Sequence, residues 1–486
     1  MTCLYRSYFF VYNWNMMKGD LVMKTAEQIT KSEQKEIKRL KRMQGRGNSS
    51  KYFFVLLMLI AIVNILDEVT SNLTVTVQSS FVTEFFVNNP FMGKYYTFQE
   101  GLALHSGVGV FTYVLGIFTP FYKALADKWG RKPLFAISTL GMALGLLVIY
   151  LSSSYIMFLV GFAIISFFMG HDIQIIYILE EAPDKHRAKI YSFLKSFGIL
   201  GVILIPALRD ALMGDDATKW REIFLVPAVI GFIAVLLVVI FAKDTKVFIG
   251  ERIEYLSRPF EERQAEKTLK KQQKEAQRNQ SGVFNGVKYI FSNSDTKNLI
   301  ISHIIFDSAM PAIALYFESS MHKVGMSTSD ITKALFMVPV IYASITFLSG
   351  FIADKLGRKV TVTGFSITCI IGYSLFVAGI LCGWNPYLIG FFAGLYQGSY
   401  WIGRDYMNVM MTEKVPTDIR ASVVGAEGLL VIIGLAVGYL LAIVGMLKFQ
   451  IWWVCLTISV VAVGTAAVMF ALKVKETKGV NLDEIE

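Results

Sequence analysis

The chain has 486 residues, of which 54% are hydrophobic and 17% charged, and its mean hydropathy is +0.51. A soluble domain carries about 25% charged residues, so too few polar side chains are present to cover several water-soluble cores. The net charge of +10 is spread over 1–52, 243–297 and short loops. No single basic face forms, which excludes a nucleic-acid-binding module.

Residues 1–52 read as a cytoplasmic tail whose stretch 24–44 is a charged surface helix. Its opening lacks the order of a signal peptide, and Met16, Met17 and Met23 are alternative starts. Apolar runs of the roughly 20 residues that cross a bilayer as a helix then follow at 53–79, 102–122, 133–151, 155–179, 188–212 and 222–242. After a charged segment at 243–297, six more follow at 298–320, 331–353, 360–382, 386–412, 419–446 and 449–472, and 473–486 form a second tail. The expected fold is an all-α membrane protein of 12 transmembrane helices in two pseudo-symmetric six-helix bundles, 53–242 and 298–472. The segment 243–297 joins them as a cytoplasmic linker with surface helices.

Cytoplasmic loops carry the excess of Lys and Arg. Here that excess falls on Lys128, Arg131 and Lys132; Lys185, Arg187 and Lys189; Lys355, Arg358 and Lys359; and Lys414 with Arg420, whereas the turns at 152–154 and 383–385 are uncharged. Both termini are therefore expected inside, in a multi-pass plasma-membrane protein. Cys3, Cys369, Cys382 and Cys455 form no paired motif, so neither a disulfide framework nor a metal site is expected. No phosphate-binding G-x-x-x-x-G-K-[ST] loop, H-E-x-x-H pair or nucleophile elbow occurs; an enzyme and a cofactor are not expected.

The two halves repeat. Ala126-Asp127-Lys128-Trp129-Gly130-Arg131-Lys132 reappears as Ala353-Asp354-Lys355-Leu356-Gly357-Arg358-Lys359, displaced by 227 residues (127 to 354). Glu180, Pro183 and Arg187 reappear as Glu413, Pro416 and Arg420, displaced by 233 (180 to 413). Asp127, Gly130, Arg131, Glu180 and Arg187, with Asp354, Gly357, Arg358, Glu413 and Arg420, place paired carboxylates and guanidinium groups at one membrane face. Such a cluster closes in one conformation and parts in another, as a gate does.

These doubled D-K-x-G-R-K loops and E-x-x-P-x-x-x-R segments resemble the major facilitator superfamily. The tail Glu476-Thr477-Lys478-Gly479, followed by Leu482-Asp483-Glu484-Ile485, is similar to that of its sugar and organic-ion porters. The resemblance covers about residues 53–486 and implies transport by alternating access, with spans 1, 4, 7 and 10 lining a central cavity. The family places Gly four residues before the loop Asp; Gly350 fits, and Lys123 does not, so looser packing is expected at the first loop.

Charges at membrane depth cost about 3 kcal/mol or more each and mark function by default. This chain has Asp67, Glu68, His171, Asp172, Lys195, Asp307, Arg404, Asp405 and Glu427 inside its spans. His171-Asp172 and Arg404-Asp405 hold matching positions in spans four and ten, with Gln174, Tyr400 and Asn408 on the same faces. Six carboxylates against Lys195, Arg404 and a titratable His171 call for protons or a cation. The expected mechanism is proton-coupled transport of a small cationic or zwitterionic solute. Asp67 and Asp172 would carry the coupling with Asp307 and Asp405 as partners, and Arg404 would pair internally or hold a substrate carboxylate. Tyr316, Tyr400 and Trp401 would cover a cationic group. Phe306-Asp307 and Ala312 stand where the family's sugar porters carry amides, which disfavours a hexose. A sugar or organic-acid symporter or uniporter, a proton-antiport exporter, and a non-transporting sensor are the alternatives. The expected partners are a small-molecule substrate, protons and the lipid bilayer, with the chain as a monomer.

Overall fold

The computed structural model describes residues 33–43, 50–115, 129–169, 177, 180–181, 190, 194, 197–258, 262, 268, 283–416 and 419–478. Helix α1 (33–43) precedes α2 (Ser50–Thr76), α3 (Gln78–Val82), which runs on as a π-helical turn Thr83–Asn88, and α4 (Phe98–Leu115). Next come α5 (Arg131–Tyr150), α6 (Tyr155–Met169), α7 (Leu204–Leu208, continued by a π turn Arg209–Met213) and α8 (Glu222–Phe241). The linker contributes α9 (Lys246–Ser257) and α10 (Val283–Ser292). The second group is α11 (Ser294–Asp307), α12 (Met310–Ala314), α13 (Phe317–Lys323), α14 (Thr328–Leu356), α15 (Arg358–Cys382), α16 (Pro386–Glu413), α17 (Arg420–Met446) and α18 (Ile451–Lys473).

Seven of the described helices are long and apolar enough to cross a membrane: α2, α5, α8, α14, α15, α17 and α18. The other expected spans fall short for identifiable reasons. The inner parts of 102–122, 155–179 and 188–212 lie partly outside the described residues. The span 298–320 is broken into α11, α12 and α13, and α16 carries Arg404 and Asp405 in mid-helix. The uncharged turns at 152–154 and 383–385 lie where the sequence puts them, between α5 and α6 and between α15 and α16.

Within the first group α5 packs on α6 and α8, and α8 on α2; within the second, α16 packs on α14 and α15, and α11 on α17 and α18. The groups meet where α4 touches α17, α3 touches α13 and α7 touches α14. Ile233, Leu236, Val239 and Ile240 on α8, and Leu429, Ile433, Leu440 and Leu441 on α17, point outward. Apolar surface on this scale belongs against hydrocarbon, not water. Helix α1 lies on the linker: Leu40 packs on Phe248, Ile249 and Leu256 of α9, and Arg252 Nε sits 3.0 Å from Glu36 Oε1.

Helix α11 lies against α17 with almost nothing between the backbones. A Cβ added at Gly434 or Gly438 would collide with the carbonyl of Ile304 or Ser308. Small residues give membrane helices this close approach, where dispersion replaces the missing hydrophobic drive.

Candidate functional site

A cavity of about 600 Å³ lies between the two groups of helices. Helix α2 and the start of α3 line it with Glu68, Ser71, Asn72, Thr74 and Gln78, and α4 adds His105 and Ser106. From the other side come Met310 and Leu315, Pro339 and Tyr342 of α14, Gln397, Trp401 and Asp405 of α16, and Tyr439 of α17. The wall is thus amphipathic: hydroxyls and amides alternate with aromatic rings, and the charged side chains among the described lining residues, Glu68 and Asp405, are both acidic. A pocket of this size with a few convergent polar groups is the ordinary form of a small-molecule site.

Of the residues read from sequence as cavity groups, Glu68, Trp401 and Asp405 line this space. Asp67, partly buried, and Asn408, likewise, are not among the lining residues. His171, Asp172, Gln174 and Lys195 lie outside the described residues, as do Asp127 and Arg187 of the gate. Tyr316 is fully buried and donates its hydroxyl to Ser106 Oγ at 2.8 Å. It therefore closes a seam instead of offering its ring to a solute.

Asp307, Tyr400, Arg404 and Glu427 gather in a second place. Arg404 Nε donates to both oxygens of Asp307, at 2.9 and 3.0 Å, and Tyr400 donates its hydroxyl to Asp307 Oδ1 at 3.0 Å. Arg404 thus pairs internally, with Asp307 and not with its neighbour Asp405, because α16 turns the two adjacent side chains to different faces. Tyr400 is held by stacking on Phe306, with ring centroids 4.8 Å apart. Sequence reasoning missed the fifth member, His303, whose Nδ1 lies 3.0 Å from Glu427 Oε1 and whose Nε2 lies 3.8 Å from Asp307 Oδ1. The spacing of His303 and Asp307, four residues apart on one helix face, was the available signal.

The groups are fastened together at the end of the molecule away from the linker. Ser79 donates its backbone N–H to Glu318 Oε2 at 3.0 Å and its hydroxyl to Oε1 of the same carboxylate. Ser319 donates to Gln78 Oε1 at 3.1 Å. Arg209 donates to the Thr76 carbonyl and, through Nε, to Thr332 Oγ1 at 3.2 Å. Glu318 and Arg209 are both almost wholly buried, so charge-assisted bonds in this seam are stronger than at a surface. Beyond it a second recess of about 400 Å³ opens, bordered by Glu84, Arg221 and His322. These seam residues stand near span ends, where sequence alone does not distinguish a gate from a loop.

At the opposite end the repeated loops take matching forms. Gly130 and Gly357 have φ of +99° and +101° and lead into α5 and α15. A carboxylate caps each helix: Asp244 Oδ1 accepts from Lys132 N at 2.9 Å, and Glu476 accepts from Arg358 N and Lys359 N at 2.9 Å. Arg131 Nη2 pairs with Glu180 Oε1 at 2.6 Å, and Arg358 Nε lies 3.4 Å from Glu413 Oε1 and its Nη1 3.5 Å from the exposed Asp354. Thr245 and Thr477 donate their hydroxyls to Glu180 and Glu413.

A Major Facilitator Superfamily model matches residues 57–438. The chain belongs to the major facilitator superfamily. It is a membrane transporter and not an enzyme. The cis,cis-muconate transport protein of Acinetobacter baylyi is 26% identical over 322 residues, 62% of this chain and 68% of its own. The glucose transporter GlcP of Staphylococcus epidermidis is 23% identical over 383 residues, 74% of this chain and 83% of its own. The minor myo-inositol transporter IolF of Bacillus subtilis is 25% identical over 375 residues, 74% and 79%. Among solved structures, the inward-open xylose transporter XylE from E. coli has a TM-score of 0.62 at 16% identity, covering 89% of this chain and 98% of its own. The nucleoside transporter NupG has a TM-score of 0.62 at 15% identity, covering 85% and 100%. At such identities these likenesses show the fold.

One detail corrects the reading of the superfamily loops. A Cβ added at Gly350 meets nothing within 4 Å, so that glycine is not a site of close helix approach. Within the second loop cluster Arg420 donates to the Val415 carbonyl, at 3.2 Å from Nη2, and Glu413 is taken by Arg358 and Thr477. The capping carboxylates were legible as a further repeat, since Lys243-Asp244-Thr245-Lys246 matches Lys475-Glu476-Thr477-Lys478.

Proposed function

We propose that the chain is a secondary active transporter that moves a small polar solute by alternating access around the 600 Å³ cavity, driven by protons. The halves 53–242 and 298–472 rock about the site, with both termini in the cytoplasm of a plasma-membrane monomer. The seam at Glu318 and Arg209 is then the outer gate, closed here, and the repeated loops are the inner one. The observation that carries the reading of the solute is the wall itself, whose described charges, Glu68 and Asp405, are acidic and stand with Trp401 and Tyr342. Carboxylates with aromatic faces favour a cationic or zwitterionic group. Arg404 is held by Asp307, which favours internal pairing over receipt of a substrate anion.

A second reading has its own support. Asn72, Gln78, Gln397 and the hydroxyls of Ser71, Thr74 and Ser106 suit a neutral polyol, and relatives named for glucose and myo-inositol transport share this fold. A thermal-shift screen of the purified protein with amines, amino acids, organic acids and sugars separates the two, because a ligand of the folded state raises apparent stability. Stabilisation by an amine or zwitterion, lost in Asp405→Asn, supports the first reading. Stabilisation by sugars alone, unchanged in Asp405→Asn, overturns it in favour of the second.

A further inference from the structure

The buried cluster behind the cavity wall contains a contradiction that one proton resolves. His303 is fully buried, with Glu427 at 3.0 Å from Nδ1 and Asp307 at 3.8 Å from Nε2. A neutral imidazole has one N–H and one lone pair. With an ionised carboxylate facing each nitrogen, a neutral ring therefore aims its lone pair at an anion. The charge count says the same. Asp307 and Glu427 against Arg404 leave one negative charge in excess, and one bound proton brings the cluster to neutrality, as burial demands. Asp307 already accepts from Arg404 and Tyr400, so the extra proton belongs on the side of His303 and Glu427.

Among the described residues Asp307 on its own helix and Glu427 on α17 face the imidazole. Tyr400 and Arg404 of α16 stand beyond Asp307, with Asp405 near Arg404 and Cys369 of α15 near Tyr400. Helices α10 and α18 also pack on α11 and carry Lys288, which is exposed, Tyr289 and Cys455, the last beside Tyr373. The cluster ties together three helices at a mechanically telling place, since α11 ends at Asp307 and the chain breaks before α12. It is also connected to the cavity: the Arg404 guanidinium lies 5.5 Å from the ring centroid of Trp401, which lines that space.

We propose that His303 and Glu427 together hold one exchangeable proton, and that this off-cavity pair is the proton-binding site of the transporter. With the proton bound, Glu427 donates its O–H to His303 Nδ1 and the Nε2–H of the neutral imidazole faces Asp307, which Arg404 also holds. When it leaves, the ring changes tautomer, and the surplus negative charge draws Arg404 inward and with it the α16 face that carries Trp401 and Asp405. This rests on the proton-driven reading above. It departs from that reading's cavity carboxylates by moving the proton behind the wall.

The test is infrared difference spectroscopy of the protein in liposomes, titrated across about pH 5 to 8. The expected result is a protonated-carboxyl band that titrates together with imidazole bands. The carboxyl band is lost in Glu427→Gln, displaced in frequency in Glu427→Asp, and retained in Glu68→Gln and Asp405→Asn. His303→Gln moves its midpoint by about one pH unit or more, a tenfold change in proton affinity. Should Glu427→Gln fail to fold, the Glu427→Asp frequency shift decides. A band that ignores both Glu427 variants, one that vanishes with Glu68 or Asp405, or the absence of any titrating acid overturns the proposal. The titration reports no solute, so its failure and that of the ligand screen are told apart.

Discussion

Gly357 and Gly130 show how much can depend on a missing side chain. Their backbone conformation, with ψ of 162° and 164°, is one that L-residues hardly adopt, and a Cβ at either would also strike the capping carboxylate, Glu476 or Asp244. Gly357→Ala should therefore cost about 1–3 kcal/mol, the scale of such backbone strain, and lower the unfolding temperature in detergent; Gly130→Ala should do the same. The two caps should differ in their response to acid. Partial burial pushes Glu476 upward, but the N–H groups of Lys478, Lys359, Thr477 and Arg358 outweigh it and hold its carboxyl below the ordinary 4.5. Burial pushes Asp244 above its ordinary value despite donors from Lys132 and Arg131. A depressed carboxylate stabilises fully above its unfolded value and loses that contribution as pH falls through its folded one. A raised carboxylate costs stability while ionised, and that cost is relieved as pH falls. On acidification from neutral Asp244 thus takes its proton first and Glu476 last. The acid limb of the stability profile should flatten in Glu476→Gln and not in Asp244→Asn. Thermal unfolding across the acid range measures both.

Individual helices were more legible than their breaks. Alternation of apolar runs with Lys- and Arg-bearing loops located α5, α8, α14, α15, α17 and α18 within a few residues, because burial in hydrocarbon leaves no other composition open. The division of 298–320 into three pieces was not legible. It comes from where Asp307 and Tyr316 find partners on other helices, and sequence spacing holds no record of that. For the same reason the charged groups were read as one set and not sorted: α16 sends Asp405 to the cavity and Arg404 to Asp307. The contact of α11 with α17 gives a test at this scale. Gly434→Ala and Gly438→Ala insert a methyl group against a backbone carbonyl that has no rotamer to change. Each should cost about 1–3 kcal/mol, as overpacking does, and should prise Glu427 from His303. Loss of stability alongside a displaced carboxyl band would show both effects in one sample.

For the molecule as a whole, the seam around Glu318 fastens the two groups at the end away from the linker. Its carboxylate bridges α13 and the start of α3 through two bonds from Ser79. A bond to a charged buried group contributes about 1.5–3 kcal/mol, and about 1.4 kcal/mol is a tenfold shift between two conformations. Glu318→Gln and Ser79→Ala should each shift the population toward the form open at that end, by roughly tenfold or more. Labelling a cysteine placed at Ser80, which borders the second recess, with a hydrophilic maleimide measures it. Unchanged labelling rates in both variants would mean that Arg209 and the Ser319–Gln78 bond hold the seam without the Glu318–Ser79 pair.

Each bundle also carries its own clasp. Asp244 follows directly on α8 and Glu476 on α18, so the last few residues of each bundle lock the entry of a helix in that same bundle. Within the chain that joins the halves, α10 packs on α17 and Phe248 of α9 lies against Arg131, so each helix stays with its own bundle when the chain is divided between them. Two separately translated polypeptides, divided anywhere in 259–282, would each keep a complete clasp. Co-expressed, they should find one another in the bilayer and reassemble, and trimming the second piece before Lys475 should abolish that complementation.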